Sequence, residues 1–165
     1  MEVFMKFATV TAFSLILTGC AGRWGQVPYI PPSDTDKNIA KIRLIGNPVG
    51  FTISQYGGKE ANVDNSKVVI FKSSTDIGLP KYKSFPDRYK ETYFETKLHA
   101  GTPTSIGYYF ARCSISYDFL PQANEIYEFR INFSDRSGYC ILYGTHMKYD
   151  KVNDVYVEEP VERLK

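Results

Sequence analysis

The chain has 165 residues, 43% of them hydrophobic and 23% charged, which is enough for one domain with a real core and too little for two. Thirteen Tyr, 11 Phe, 12 Gly and 9 Pro exclude a disordered or collagen-like chain. Twenty Lys and Arg against 18 Asp and Glu leave a net charge of +2, too small and too dispersed to indicate a nucleic-acid partner.

Residues 1–19 are laid out as a signal peptide, with Lys6 ahead of an apolar run over residues 7–17 that ends in small residues. The run is 11 residues long (17 − 7 + 1), against the roughly 20 that a membrane-spanning helix needs, so a permanent transmembrane helix is disfavoured. Glu2 is unusual so close to a translocation signal, whereas Met5-Lys6 opens a conventional one, which makes Met5 the suspected start. Leu17-Thr18-Gly19-Cys20 resembles the lipobox of bacterial lipoproteins. That resemblance implies a diacylglyceryl group on the Cys20 thiol, cleavage before it, and a further fatty acyl chain such as palmitate on the new amino terminus. The alternative is an ordinary signal peptide in which Cys20 is incidental. In Gram-negative lipoproteins Asp after the lipidated cysteine favours retention in the inner membrane; here the position is Ala21, which implies the outer membrane.

Residues 20–38 are then the lipidated cysteine and a tether, with Pro28, Pro31 and Pro32 and no sustained apolar period. Its 18 residues after Cys20 (38 − 21 + 1) span about 60 Å when extended and about 23 Å as a flexible coil. Trp24 either sits at the lipid headgroups or packs on the domain.

Residues 39–147 read as an all-β domain and residues 148–165 as a carboxy-terminal extension. Weaker strands are expected at 39–45, 50–55, 67–72, 92–98 and 104–112, separated by turns at Asn47-Pro48, Gly57-Gly58 and Gly101-Thr102-Pro103. In 113–119, Cys113, Ile115, Tyr117 and Phe119 alternate with Ser114, Ser116 and Asp118. The clearest strand is 126–133, with Tyr127, Phe129, Ile131 and Phe133 toward a core and Glu128, Arg130 and Asn132 toward water. Residues 139–147 follow the turn Ser134-Asp135-Arg136-Ser137-Gly138 and should pair with 126–133 as a hairpin, and a last extended piece is expected near 155–158. No stretch after the signal sustains a helical period. The expected fold is an immunoglobulin- or transthyretin-like β-sandwich of about 7–9 strands.

With Cys20 lipidated, Cys113 and Cys140 form an even pair in an oxidising compartment and read as a disulfide, the alternative being two reduced, buried thiols. A plain meander of 113–119, 126–133 and 139–147 would hold its outer strands about 9.5 Å apart, beyond the roughly 7 Å limit for bridged Cα atoms. Residues 119–124 are therefore expected to carry the chain between sheets; the alternative is that one cysteine lies at a frayed strand end.

Ala40-Lys41-Ile42-Arg43-Leu44-Ile45-Gly46, Ile77-Gly78-Leu79-Pro80, Ala100-Gly101-Thr102-Pro103 and Phe119-Leu120-Pro121, with Tyr127-Glu128 and Cys140, resemble a group of small proteobacterial outer-membrane lipoproteins. The resemblance covers most of residues 39–143. It implies a β-sandwich envelope lipoprotein and supplies no catalytic residues.

The sequence has no G-x-S-x-G elbow, no H-E-x-x-H and no glycine-rich phosphate loop, so no catalytic residue and no cofactor is expected. Two isolated Cys and two isolated His lack the paired spacing of structural zinc sites. His146 is expected as a packed histidine at the core edge, and His99 as a solvated one beside a turn. The most unusual composition lies between two expected strands, in Lys81, Tyr82, Lys83, Ser84, Phe85, Pro86, Asp87, Arg88, Tyr89 and Lys90. Four cations and three rings against one carboxylate suit an anionic glycan or lipid headgroup; equally, the segment suits a crossover whose rings cover the sandwich edge. The expectation is a lipid-anchored, non-catalytic binding or assembly module at the outer membrane, facing the periplasm, with an envelope protein, peptidoglycan or lipopolysaccharide as partner. Alternatives are a subunit of an envelope-spanning secretion machine, and a small envelope enzyme or enzyme inhibitor.

Overall fold

The computed structural model describes residues 27–55, 61–62, 75–134 and 139–164. The strands in chain order are β1 (Val27–Pro28), β2 (Ile39–Ile45), β3 (Phe51–Gln55), β4 (Ala61–Asn62), β5 (Tyr93–His99), β6 (Thr104–Phe110), β7 (Cys113–Phe119), β8 (Ile126–Phe133), β9 (Cys140–Asp150) and β10 (Val155–Pro160). They form two five-stranded sheets, ordered β1-β4-β3-β6-β7 and β10-β9-β8-β2-β5. The expected all-β sandwich is therefore the fold. The strand expected at 67–72 and the Gly57-Gly58 turn lie outside the described residues.

The core follows from period two. Ala40, Ile42 and Leu44 on β2, Tyr127, Phe129 and Ile131 on β8, and Phe51, Ile53, Ile106 and Tyr108 opposite them are buried between the sheets. Their rings meet edge to face, Phe51 with Tyr108 at 4.8 Å and Phe119 with Tyr127 at 5.0 Å between centroids. This geometry aligns ring edges with ring faces and adds to the burial of apolar area. Gly144 on β9 makes the close approach of β8 possible: a Cβ there would lie 2.5 Å from Phe129 Cε1 and 3.0 Å from its Cζ. Gly144→Ala is expected to cost about 1–3 kcal/mol through overpacking, read as a lowered thermal midpoint; an unchanged midpoint would contradict this packing.

β7 ends in the first sheet at Phe119, and β8 begins in the second at Ile126. Residues 120–125 carry the chain between the sheets, as the disulfide geometry requires. The crossing is fixed by Gly101 N donating to Pro121 O at 2.7 Å and Asn124 N donating to Ile39 O at 2.8 Å, with Asn124 in the left-handed region at φ 64°. Cys113 on β7 and Cys140 on β9 are bonded from one sheet to the other beside the core, with Cα atoms 5.7 Å apart.

Three expectations need correction. Residues 27–38, read as tether, lie on the domain: β1 pairs in parallel with β4, Pro32 is buried, and the half-buried Tyr29 donates its hydroxyl to Lys97 O at 2.8 Å. A hydroxyl paired with a buried-strand carbonyl and a ring against the core outweigh the extended bias of the prolines. Residues 148–164, read as an extension, complete the second sheet. β9 runs on to Asp150, β10 pairs with it, and the tail then crosses to β7, where Tyr117 donates its hydroxyl to Val161 O at 2.6 Å and Leu164 N donates to Asp118 O at 3.0 Å. This crossing covers an edge that would otherwise present unpaired backbone. Finally, Glu128 on the outer face of β8 does not meet water, because another layer covers it, and Arg130 is partly covered; of the three residues read as facing water only Asn132 is exposed.

Candidate functional site: the layer outside the second sheet

Arg43 on β2 stands in register between Glu95 on β5 and Glu128 on β8. Residues directly opposite on neighbouring strands point to the same face, so the three side chains converge on the side of the sheet away from the core. Their relative exposures are 0%, 1% and 2%. Arg43 Nε donates to Glu95 Oε1 at 2.7 Å, Nη1 to Glu128 Oε2 at 3.0 Å and Nη2 to Leu79 O at 2.9 Å. Burial works against the Arg43 charge, but the hydrogen bonds to Glu128 and Glu95 outweigh it and hold its pKa above the ordinary value.

The cover is residues 75–91. Thr75 starts it by pairing with β5, Thr75 N donating to Tyr93 O at 3.2 Å and Glu95 N to Thr75 O at 2.9 Å. Glu95 Oε2 then accepts from Ile77 N at 2.7 Å and from Leu79 N at 3.3 Å, so one buried carboxylate holds both the arginine and the overlying backbone. Gly78, at φ 81°, makes the turn between them. Tyr93 donates its hydroxyl to Asp76 at 2.6 Å, and that bond, with one from Gly78 N, holds the Asp76 carboxyl down at about 2. Leu79, Tyr82, Ile45 and Met147 are buried as well, apart from the core cluster between the sheets.

The basic and aromatic segment belongs to the same cover. Tyr82 is buried, and its backbone N–H donates to the Tyr89 hydroxyl at 3.0 Å; burial pushes the Tyr89 phenol up to about 12. The Tyr89 ring lies 4.7 Å from the Arg43 guanidinium carbon. Arg88, on the short 3-10 turn Pro86–Lys90, bonds Glu128 Oε1 at 2.7 Å and pairs with Glu158 on β10. Lys81 lies 3.6 Å from Asp76, Lys90 lies 2.6 Å from Asp87, and Lys83 donates to Asp154 O at 3.3 Å. Of the seven residues singled out, Tyr82, Arg88 and Tyr89 are built into the layer, while Lys81, Lys83, Phe85 and Lys90 reach solvent. Tyr82 is buried and the Tyr89 ring lies over Arg43 on the outer face of the second sheet, whereas Phe85 is exposed.

Arg130 completes the picture and is missed by alternation, which places it in water. Its guanidinium carbon lies 5.7 Å from the Tyr143 ring centroid, and its Nε is buried with no hydrogen-bond partner. Arg88 Nε is in the same condition. Both arginines line one cleft of about 350 Å³ together with Ser84, Phe85, Pro86, Asp87 and Glu91. The signal available in the sequence was Glu128 and Arg130, Arg43 and Glu95, charged residues of both signs within three strand-forming segments.

The histidines lie elsewhere. His146 Nε2 is 2.5 Å from Glu125 Oε2, and its ring stacks on Tyr127 at 4.9 Å, which fits the packed core-edge expectation. Burial would raise the Glu125 pKa, but the bond and charge of His146, with Lys148, bring it below the ordinary value. His146, with Tyr127 and Lys148, borders a groove of about 610 Å³ beside residues 159–164. His99 is half-exposed, 3.5 Å from Asp36. Among the described residues no three His, Cys, Asp or Glu side chains converge on a metal-sized site. No protein-family model matches the chain, and no curated protein or solved structure is detectably similar to it.

Proposed function

We propose that the chain is an exported, lipid-anchored β-sandwich that acts as a non-catalytic binding module on the periplasmic side of a Gram-negative outer membrane. The partition of the three cysteines carries the reading. Cys113 and Cys140 are bonded to each other, a pairing that suits an oxidising compartment, and Cys20 is left over at the end of the apolar run in Leu17-Thr18-Gly19-Cys20. Two or three acyl chains, at about 0.8 kcal/mol per buried CH₂, hold a protein at a membrane essentially permanently. A binding role is supported by the outer layer, where the charges of Arg43, Glu95, Arg88 and Glu128 are committed to one another and fix a surface rather than a reactive group.

The test is metabolic labelling with a fatty acid in a Gram-negative host. The natural chain should take up label and fractionate with the outer membrane, and Cys20→Ser should lose both; a Cys20→Ser chain that remains labelled would overturn the anchor. A second reading, an assembly subunit of an envelope-spanning machine, is favoured by Tyr139, Ile141 and Tyr143, large apolar side chains exposed at alternate positions along the start of β9. Crosslinking in intact cells separates the two: a single defined protein partner supports assembly, a glycan or lipid supports ligand binding.

A further inference from the structure

We infer that the cleft between the Pro86–Lys90 turn and Arg130 is a binding site for a saccharide that carries one oxyanion, a phosphate or a carboxylate. The inference rests on the binding-module reading and adds the location and the ligand class. Arg130 is the first ground. It makes no ion pair with any described residue, its one neighbour of note being the Tyr143 ring, and its Nε has no acceptor. Arg88 is the second. Its side chain is 7% exposed, Nη1 is held by Glu128 and Glu158, and its Nε also lacks an acceptor. A guanidinium presents five donors in a fixed fork, which matches the paired oxygens of a phosphate or carboxylate. Both Nε atoms are covered, so a ligand in the cleft meets the terminal N–H groups instead; those of Arg130 make no hydrogen bond or ion pair with any described residue, and they are the donors that ask for an acceptor from outside.

The rest of the lining decides between a bare ion and something larger. The cleft, at about 350 Å³, exceeds the size of a lone phosphate. Phe85 is 45% exposed, so part of its ring remains for the C–H face of a sugar. Ser84 and Glu91, both exposed at the mouth, suit hydroxyl groups, Ser84 as donor or acceptor and Glu91 as acceptor. Asp87 is drawn toward Lys90 at 2.6 Å, which offsets its charge at the rim. Glu91 would repel a free anion yet accept from a sugar hydroxyl, so the ligand that satisfies every wall carries both groups.

The test titrates the full-length protein in detergent with glucose 1-phosphate, glucuronate, glucose and inorganic phosphate, followed by calorimetry. At least one of the two charged sugars should bind tenfold or more tightly than both glucose and phosphate, with affinity falling as salt is raised. Arg130→Gln should reduce that affinity at least tenfold, and Arg130→Lys, which keeps the charge and loses the fork, at least threefold. Glu91→Gln should narrow the preference for sugar over phosphate. Glucose binding as tightly as the charged sugars, phosphate binding as tightly as either, or both Arg130 variants binding unchanged would each overturn the proposal. Fatty-acid labelling of Cys20→Ser is independent of this titration, so loss of the anchor reading and loss of the cleft reading are told apart.

Discussion

Replacing Arg43 by Met is expected to lower the unfolding free energy by about 3–5 kcal/mol, because two buried carboxylates lose the cation they share. Glu95 and Glu128 sit at 1% and 2% exposure on either side of the guanidinium, and neither has water to turn to. Against a typical total of about 5–15 kcal/mol the loss takes a large share, so urea unfolding should show a sharply lower midpoint at unchanged slope. The companion variant separates burial from attraction. Arg43→Met combined with Glu95→Gln removes the cation and the carboxylate that depends on it alone, leaves Glu128 paired with Arg88, and should recover most of the loss, since a buried ion pair and a neutral pair of similar volume are close in free energy. A loss below about 1 kcal/mol for Arg43→Met alone is what an exposed ion pair would give, and would contradict the covered layer.

The second large effect belongs to the disulfide. Cys113 and Cys140 close a loop of 27 residues, and chain-entropy bookkeeping assigns such a closure about 3.5 kcal/mol. Cys113→Ala with Cys140→Ala should be destabilised by about that amount in chemical unfolding, and the natural protein unfolded in the presence of a reductant should coincide with the double variant. The effect is expected to concentrate on the β7 and β9 edge, where the bond joins two sheets that share no backbone ladder. Hydrogen exchange that accelerates uniformly, rather than first along Cys113–Phe119 and the start of β9, would contradict this placement.

Strand positions were legible because alternation is a property of neighbours in the chain. Ile39–Ile45, Cys113–Phe119 and Ile126–Phe133 match their expected bounds residue for residue, and the jump between sheets followed from the reach of a disulfide. What alternation lacks is any knowledge of a third layer. It assigns Glu128 and Arg130 to water because a sandwich has two faces per sheet, and nothing in a period of two announces that residues 75–91 will return over the outside. The same blindness separates the seven residues of the basic and aromatic segment into framework and surface only after Arg43 is seen beneath Tyr89. The amino-terminal prolines misled in the opposite direction. Pro28 and Pro32 carry the composition of a linker, yet Tyr29 between them anchors the segment through a single hydroxyl to a strand carbonyl 68 positions away.

That anchoring changes the mechanics of the proposed membrane attachment. With the chain held from Val27 onward, six residues separate the first described strand from Cys20, and the seven steps between them reach at most about 25 Å. A leash of this length is shorter than β9 alone, whose 11 residues extend over about 34 Å. The domain would then ride against the bilayer surface within a fixed shell instead of sweeping the periplasm. Any partner it meets must come to the membrane, and encounter becomes a search in two dimensions.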